Sequence, residues 1–254
     1  MRIPCLVPLA LALAATLLAQ TPAPAPKAAV PPPATPTTAP DAGFESIFDG
    51  KTLANWDGDP VYWRVEDGNL VGEIKPENTI QRNTFIIWRG GSPADFELKL
   101  EYRISAQGNS GVNYRSVELT DAKWSLAGYQ ADIDGPTKNR PGTRHTGQNY
   151  EERGRTFLAR RGQVVRADPD RKFAVIGSTG DTNALAGHIK EGDWNEFHLI
   201  ARGSVMTHLL NGQTMSVVID DDAKARRLDG LIGVQVHTGP PMKVEFRNIR
   251  LKKL

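Results

Sequence analysis

The chain has 254 residues, with 31 basic and 29 acidic side chains and a formal net charge of +2. So near a balance gives no electrostatic footprint for nucleic acid. The one cysteine, Cys5, falls inside an N-terminal apolar run, which excludes disulfide scaffolds and thiolate chemistry for the rest of the chain.

Arg2 followed by "CLVPLALALAATLLA" reads as a secretory signal over residues 1–20, too short and too early to span a membrane comfortably. Cleavage is expected between roughly residues 20 and 26, giving a secreted or periplasmic protein with no membrane attachment afterwards. Residues 21–42 are dominated by proline and alanine ("TPAPAPKAAVPPPATPTTAP") and show no hydrophobic period. They read as an extended tether. Residues 43–254 remain, about 210 in number, which suits one all-β domain.

Strand signals fill that domain. "FELKLEYRIS" (96–105) alternates strictly, with Phe96, Leu98, Leu100, Tyr102 and Ile104 on one face and Glu97, Lys99, Glu101 and Arg103 on the other. "SGVNYRSVEL", "GYQADI", "KFAVIGS", "WNEFHLIARG", "VMTHLLNG", "QTMSVVID", "LIGVQVHTG" and "MKVEFRNIRL" follow as further strands. Asp67-Gly68, inside "EDGNL", and Asn211-Gly212 are hairpin turns. Residues 140–155 read as a long, charged, glycine-bearing loop. Short helical turns are expected near 181–187 and 222–227, and no long stretch has a period of 3.6. Many short strands with turns between them predict an antiparallel jelly-roll β-sandwich.

Three strands carry a polar row that the core does not need. In "GVNYRS" one face holds Gly111, Asn113 and Arg115; in "GYQADID" it holds Gly128, Gln130, Asp132 and Asp134; in "LIGVQVHTG" it holds Gly233, Gln235 and His237. Glycine leaves room above a sheet, and amides and charges supply directional hydrogen bonds. The three rows together read as the floor of a site. Gln148, Tyr150, Glu151 and Arg153, in the loop after the second row, are candidates for its wall, with Tyr150 as a flat aromatic surface for a ligand to stack on.

The ordered series "WRVEDGNLVGE", "DFELKLEYRI", "GNSGVNYRS", "GYQADI", "DWNEFHLIARG" with "LLNG", and "GVQVHTGPPMKVEFRNIRLKKL" resembles the bacterial 3-keto-disaccharide hydrolase domain family over nearly all of residues 44–254. The resemblance implies a concanavalin A-like jelly roll and a secreted or periplasmic role in glycoside degradation, on sugars already oxidised at C3. Many relatives have a glutamate where this chain has Gln130.

Paired-carboxylate glycosidases of the retaining type need two carboxyls about 5 Å apart. Gln130 cannot transfer protons, and Asp134, before Gly135-Pro136, reads as a turn residue. A 3-keto sugar needs less. One base can remove the hydrogen at C2, with donors holding the enolate oxygen. His237, Asp132 and Glu151 are the candidates for catalysis. Asn113, Arg115, Gln130, Gln148, Tyr150 and Gln235 are candidates for binding substrate. Asp132 with His237 would hold a divalent cation only if other oxygens joined them, so no cofactor is assigned and a cation stays open. The expected partner is a carbohydrate, with no nucleic acid, and the oligomeric state is left unassigned. The competing reading is a carbohydrate-binding module that uses the same face without chemistry. A third is a tethered structural or partner-binding domain.

Overall fold

A computed structural model describes residues 42–136 and 145–254. The expected signal segment, all but the last residue of the tether and the stretch 137–144 lie outside the described residues. The strands are, in chain order, β1 (Glu45–Ser46), β2 (Trp56–Asp57), β3 (Trp63–Glu66), β4 (Asn69–Ile74), β5 (Thr84–Trp88) and β6 (Phe96–Ile104). Next come β7 (Asn109–Glu118), β8 (Leu126–Asp134), β9 (Asn149–Glu152), β10 (Thr156–Ala159), β11 (Gln163–Asp168) and β12 (Lys172–Ser178). The last are β13 (Asn195–Arg202), β14 (Val205–Leu210), β15 (Gln213–Asp220), β16 (Leu231–Val236) and β17 (Met242–Lys253).

They form two sheets. One runs β12-β11-β15-β14-β13-β6-β17-β4-β3, with β1 beside β17; the other runs β10-β9-β8-β7-β16-β5-β2. The pairs are antiparallel except β11 with β15, which is parallel. The fold is thus an all-β sandwich of the concanavalin A-like, jelly-roll kind. The alternation in β6 is carried through: its five apolar side chains are buried and the charged ones between them are half-buried. Ile232, Val234 and Val236 of β16 face the same core, at most 1% exposed.

Both predicted hairpins close with two-residue turns of positive φ. Asp67 and Gly68 have φ of 50° and 78°, and Asn211 and Gly212 of 48° and 79°. That is the turn whose twist matches the flanking strands, and asparagine, aspartate and glycine tolerate it best. A short helix α1 (Thr182–Ala186) forms within the expected 181–187, capped by the Asp181 carboxylate on the amides of Asn183 and Ala184. Residues 140–155 differ from expectation, because Asn149–Glu152 is strand β9 in the seven-stranded sheet. Its inner side chains are polar, so it lacks the apolar alternation that marks a half-buried strand.

Candidate functional site

Pairing register builds the site. Across β7 and β8, Gly111 faces Asp132 and Asn113 faces Gln130; across β16 and β7, Gly233 faces Asn113. Across β8 and β9, Gln130 faces Tyr150 and Gly128 faces Glu152. Directly opposed residues share a face. Asn113, Gln130, Asp132, Tyr150, Glu152 and Gln235 therefore stand together on the outer face of the seven-stranded sheet.

Hydrogen bonds link them. Gln130 Nε2 donates to Asp132 Oδ1 at 2.9 Å. Gln235 Nε2 donates to Gln130 Oε1 at 3.3 Å and lies 3.5 Å from Glu152 Oε2. The result is a run from Asp132 through two amides to Glu152. All its members are buried, Gln235 completely and the two acids at 8% exposure. Asn113 is also fully buried, and its side-chain nitrogen and oxygen find no hydrogen-bond partner among the described residues. Gln148 continues this edge of the row: its carbonyl accepts from the Asp132 amide at 3.2 Å and its side chain is buried.

The glycines do not leave open floor. A Cβ at Gly111 would collide with the Gln130 amide, which lies across it. A Cβ at Gly233 would come 2.8 Å from Leu126 Cδ1. Leu126 belongs to a small apolar cluster with Phe85 and Ile87 on this same outer face, which closes one end of the row. The room that glycine provides is filled by the protein's own side chains.

An open cleft lies at the other end. It holds about 390 Å³ and is lined by Asn83, Tyr150, Glu152, Arg153, His237 and Thr238 among others. His237 Nδ1 is 2.6 Å from the Thr238 carbonyl. A carbonyl only accepts, so Nδ1 carries the hydrogen and a neutral ring keeps its lone pair on Nε2. Asn83 ties the wall together, accepting from the Thr238 amide at 3.0 Å and reaching Glu152 Oε1 at 3.4 Å. The Tyr150 ring packs edge-on against Phe157, 5.0 Å between centroids, and so is steadied from behind.

Two expected site residues lie elsewhere. A β-bulge between Tyr114 and Val117 breaks the alternation of β7, and Arg115 sits at its start with φ 45°. Its guanidinium is fully buried, donating to the carbonyls of Ala94 and Gly203 and to Asp95. It pins loops together and does not join the row. Glu151 points inward, because it faces Tyr129 across the β8–β9 pair. There it accepts from Arg155 Nε at 2.6 Å, and Arg155 also grips Asp220. The carboxylate on the cleft is Glu152, one residue on. The signal was present in the sequence: Tyr150 and Glu152 are two apart, so a strand that presents one presents the other. Arg153 is on the cleft rim, its side chain half exposed, and Asp134 is engaged by the His145 backbone amide and ring.

Asp132 is held well above the usual carboxylate range. Burial is the main cause, the charges of Asp134 and Glu152 add to it, and the Gln130 hydrogen bond opposes it. Among the described residues no three His, Asp or Glu side chains gather as metal ligands would. No described helix is long and apolar enough to cross a membrane.

Residues 43–252 match the family described as the 3-keto-alpha-glucoside-1,2-lyase-like domain. A Bacteroides thetaiotaomicron protein named 3-keto-disaccharide hydrolase is 33% identical over 89 residues, 31% of this chain and 29% of that one. The alignment thus spans under a third of the relative's length. Among solved structures, a candidate glycosyl hydrolase of Parabacteroides distasonis superposes with a TM-score of 0.54 at 21% identity, covering 84% of this chain and 94% of that one. A second from the same organism gives 0.52 at 20% identity, over 83% and 99%. At these identities the likeness speaks for the fold.

Proposed function

The chain belongs to the 3-keto-alpha-glucoside-1,2-lyase-like domain family, and on that premise we propose that it cleaves the glycosidic bond of sugars oxidised to a ketone at C3. The printed name of the Bacteroides thetaiotaomicron relative supports the substrate class. The observation that carries the reading is the cleft itself: a histidine with a free ring nitrogen, an aromatic ring and a carboxylate line one open pocket.

A ketone at C3 makes the C2 hydrogen acidic. His237 Nε2 removes it, and the electron pair moves into the C2–C3 bond and onto the ketone oxygen. The enolate returns that pair, C1=C2 forms, the C1–O bond breaks and the departing oxygen takes a proton from the imidazolium. Water then adds across C1=C2, the hydroxyl to C1 and a proton to C2, and the C3 ketone is restored. Tyr150 offers its face to the sugar ring. Gln130 and Gln235 hold the buried run from Asp132 to Glu152 behind the cleft wall. The N-terminal signal segment read from residues 1–20 supports action outside the cytoplasm.

The test is incubation of the purified protein with 3-keto glycosides of varied aglycone and with the matching unoxidised glycosides, with and without a chelator. Release of aglycone from the keto compounds alone is expected. In heavy water the product should carry deuterium at C2. Tight binding of the keto sugars with no turnover would make the protein a binding module and overturn the reading.

A further inference from the structure

Glu152 has an unusual position for a buried acid. It is 8% exposed, yet its polar contacts among the described residues are all long: Asn83 Nδ2 at 3.4 Å, Gln235 Nε2 at 3.5 Å and Arg153 Nε at 3.8 Å. Arg153 is itself half exposed and gives little compensation. The neighbouring Glu151, equally buried, has Arg155 Nε at 2.6 Å on one oxygen and the Arg155 amide at 2.8 Å on the same oxygen. A carboxylate taken from water without a close cation costs stability, and such groups persist where a site uses them. Glu152 is also the acid that lines the cleft shared with His237 and Tyr150.

We infer that Glu152 is a second catalytic residue of this cleft, the general base that adds water to the unsaturated 3-keto sugar. The inference rests on the cleavage chemistry proposed above and names the group for its second half. Glu152 takes a proton from water as the oxygen bonds to C1. The C1=C2 pair shifts to form the C2–C3 enolate. The new carboxylic acid then returns its proton to C2 and the ketone re-forms, leaving the carboxylate as it began. Every atom of one water enters the product, and no oxidant or reductant is required. The two amides, from Gln235 and Asn83, aim one donor at each carboxylate oxygen and so fix the direction in which it can accept from water.

The experiment separates the two halves. Wild type, Glu152→Gln and Glu152→Ala are each given a 3-keto glycoside and, separately, the isolated unsaturated ketone with its C1=C2 double bond. Glu152→Gln keeps the shape and, through its one remaining oxygen, one of the two amide contacts, and circular dichroism and the unfolding midpoint check that it folds. The expected result is accumulation of the unsaturated ketone, with hydration of the supplied ketone slowed about 10²–10⁴-fold and aglycone release slowed far less. Partial recovery of hydration by formate in Glu152→Ala would identify the missing group as a carboxylate. Hydration of the supplied ketone by Glu152→Gln at the wild-type rate overturns the inference. So does loss of aglycone release in a folded Glu152→Gln, which would move the residue to the first half. Wild type that hydrates the ketone but cleaves no glycoside would sink the cleavage reading and leave Glu152 as a hydration base.

Discussion

Consecutive residues of β9 send carboxylates to opposite faces of one sheet. Glu151 enters a dry cluster in which Arg155 binds it and Asp220, Asp222 lies 3.8 Å away, and Tyr129 donates to Asp220 at 2.5 Å. Glu152 enters a row of acids and amides with no close cation among the described residues. Both groups are buried, polar and close in space, so burial alone does not distinguish structure from function. Pairing does. The inner cluster places one guanidinium in direct contact with both Glu151 and Asp220 and joins β9 to β15 of the other sheet. The outer row leaves the Asn113 side chain without partners among the described residues and Asp132 next to like charges, and it ends at an open cleft. The inner group should therefore answer mutation in stability, and the outer row in rate.

The strongest test removes the inner cation. Arg155→Met leaves Glu151 and Asp220 buried with no counter-charge and should cost about 3–5 kcal/mol. Urea unfolding would read the loss as a lowered midpoint at unchanged slope. The molecules that stay folded should turn over normally. A loss below about 1 kcal/mol, the range of exposed pairs, would mean that the cluster is not structural in the sense argued.

A second inner group gives a pH signature. His208 is fully buried, its Nε2 2.7 Å from the Tyr114 hydroxyl and its Nδ1 3.3 Å from the Gln148 carbonyl. Burial pushes its pKa down to about 3, against a smaller opposite pull from the Gln148 carbonyl. In the unfolded chain the ring titrates near 6.5, so between those values the unfolded state binds more protons and stability rises with pH. The contribution is complete above about pH 6.5 and fades as the pH falls towards about 3. It amounts to a few kcal/mol at most. Chemical unfolding at a series of pH values should show the slope, and His208→Gln should flatten it. An equal slope in the variant would remove His208 as its source.

Asp132 in the outer row should behave in the opposite sense. Its folded pKa is raised, so the folded state holds a proton that the unfolded chain releases above about pH 4, and stability falls as the pH rises. Asp132→Asn keeps the acceptor for Gln130 and removes that cost. It should stabilise the fold by about 0.5–2 kcal/mol near pH 7.5 and by nothing at pH 3, while turnover drops. Destabilisation at pH 7.5 would show that the acid contributes to the fold and would erase the contrast with the inner cluster.

Much of this was legible in the chain. Strict alternation in β6 and the Asp-Gly and Asn-Gly turns fix local geometry by sterics that act within a few residues. The grouping of Asn113, Gln130, Asp132 and Gln235 follows from parity alone. Arg115 was misread because parity holds only along an unbroken strand, and nothing in "VNYRSVEL" announces the bulge. The sequence reading names Glu151 and passes over Glu152, because "NYEERGR" has no apolar face to show which side is inside. The cation that makes its inner face tolerable, Arg155, lies four residues on in the same stretch, but the acid it shares, Asp220, comes from a distant part of the chain. Where charges are buried in pairs, hydrophobic pattern stops reporting which side is inside.

His237 should give the smallest stability change. It is partly exposed on the cleft, and its ring bonds only to the adjacent Thr238 carbonyl among the described residues. His237→Ala removes no core packing and leaves no buried group unpaired apart from that carbonyl. A change of about 0.5 kcal/mol or less is expected. Turnover of a 3-keto glycoside should nonetheless fall about 10²–10⁴-fold, the usual cost of losing one general base. The fall should appear in kcat more than in KM, because the base acts in the transition state and contributes little to ground-state binding. Exchange of the C2 hydrogen with heavy water should be lost in parallel, since the same nitrogen carries that proton. If His237→Ala exchanged C2 hydrogen at the wild-type rate, the base would have to be another group on the cleft, and Glu152 would then be required in both halves of the reaction.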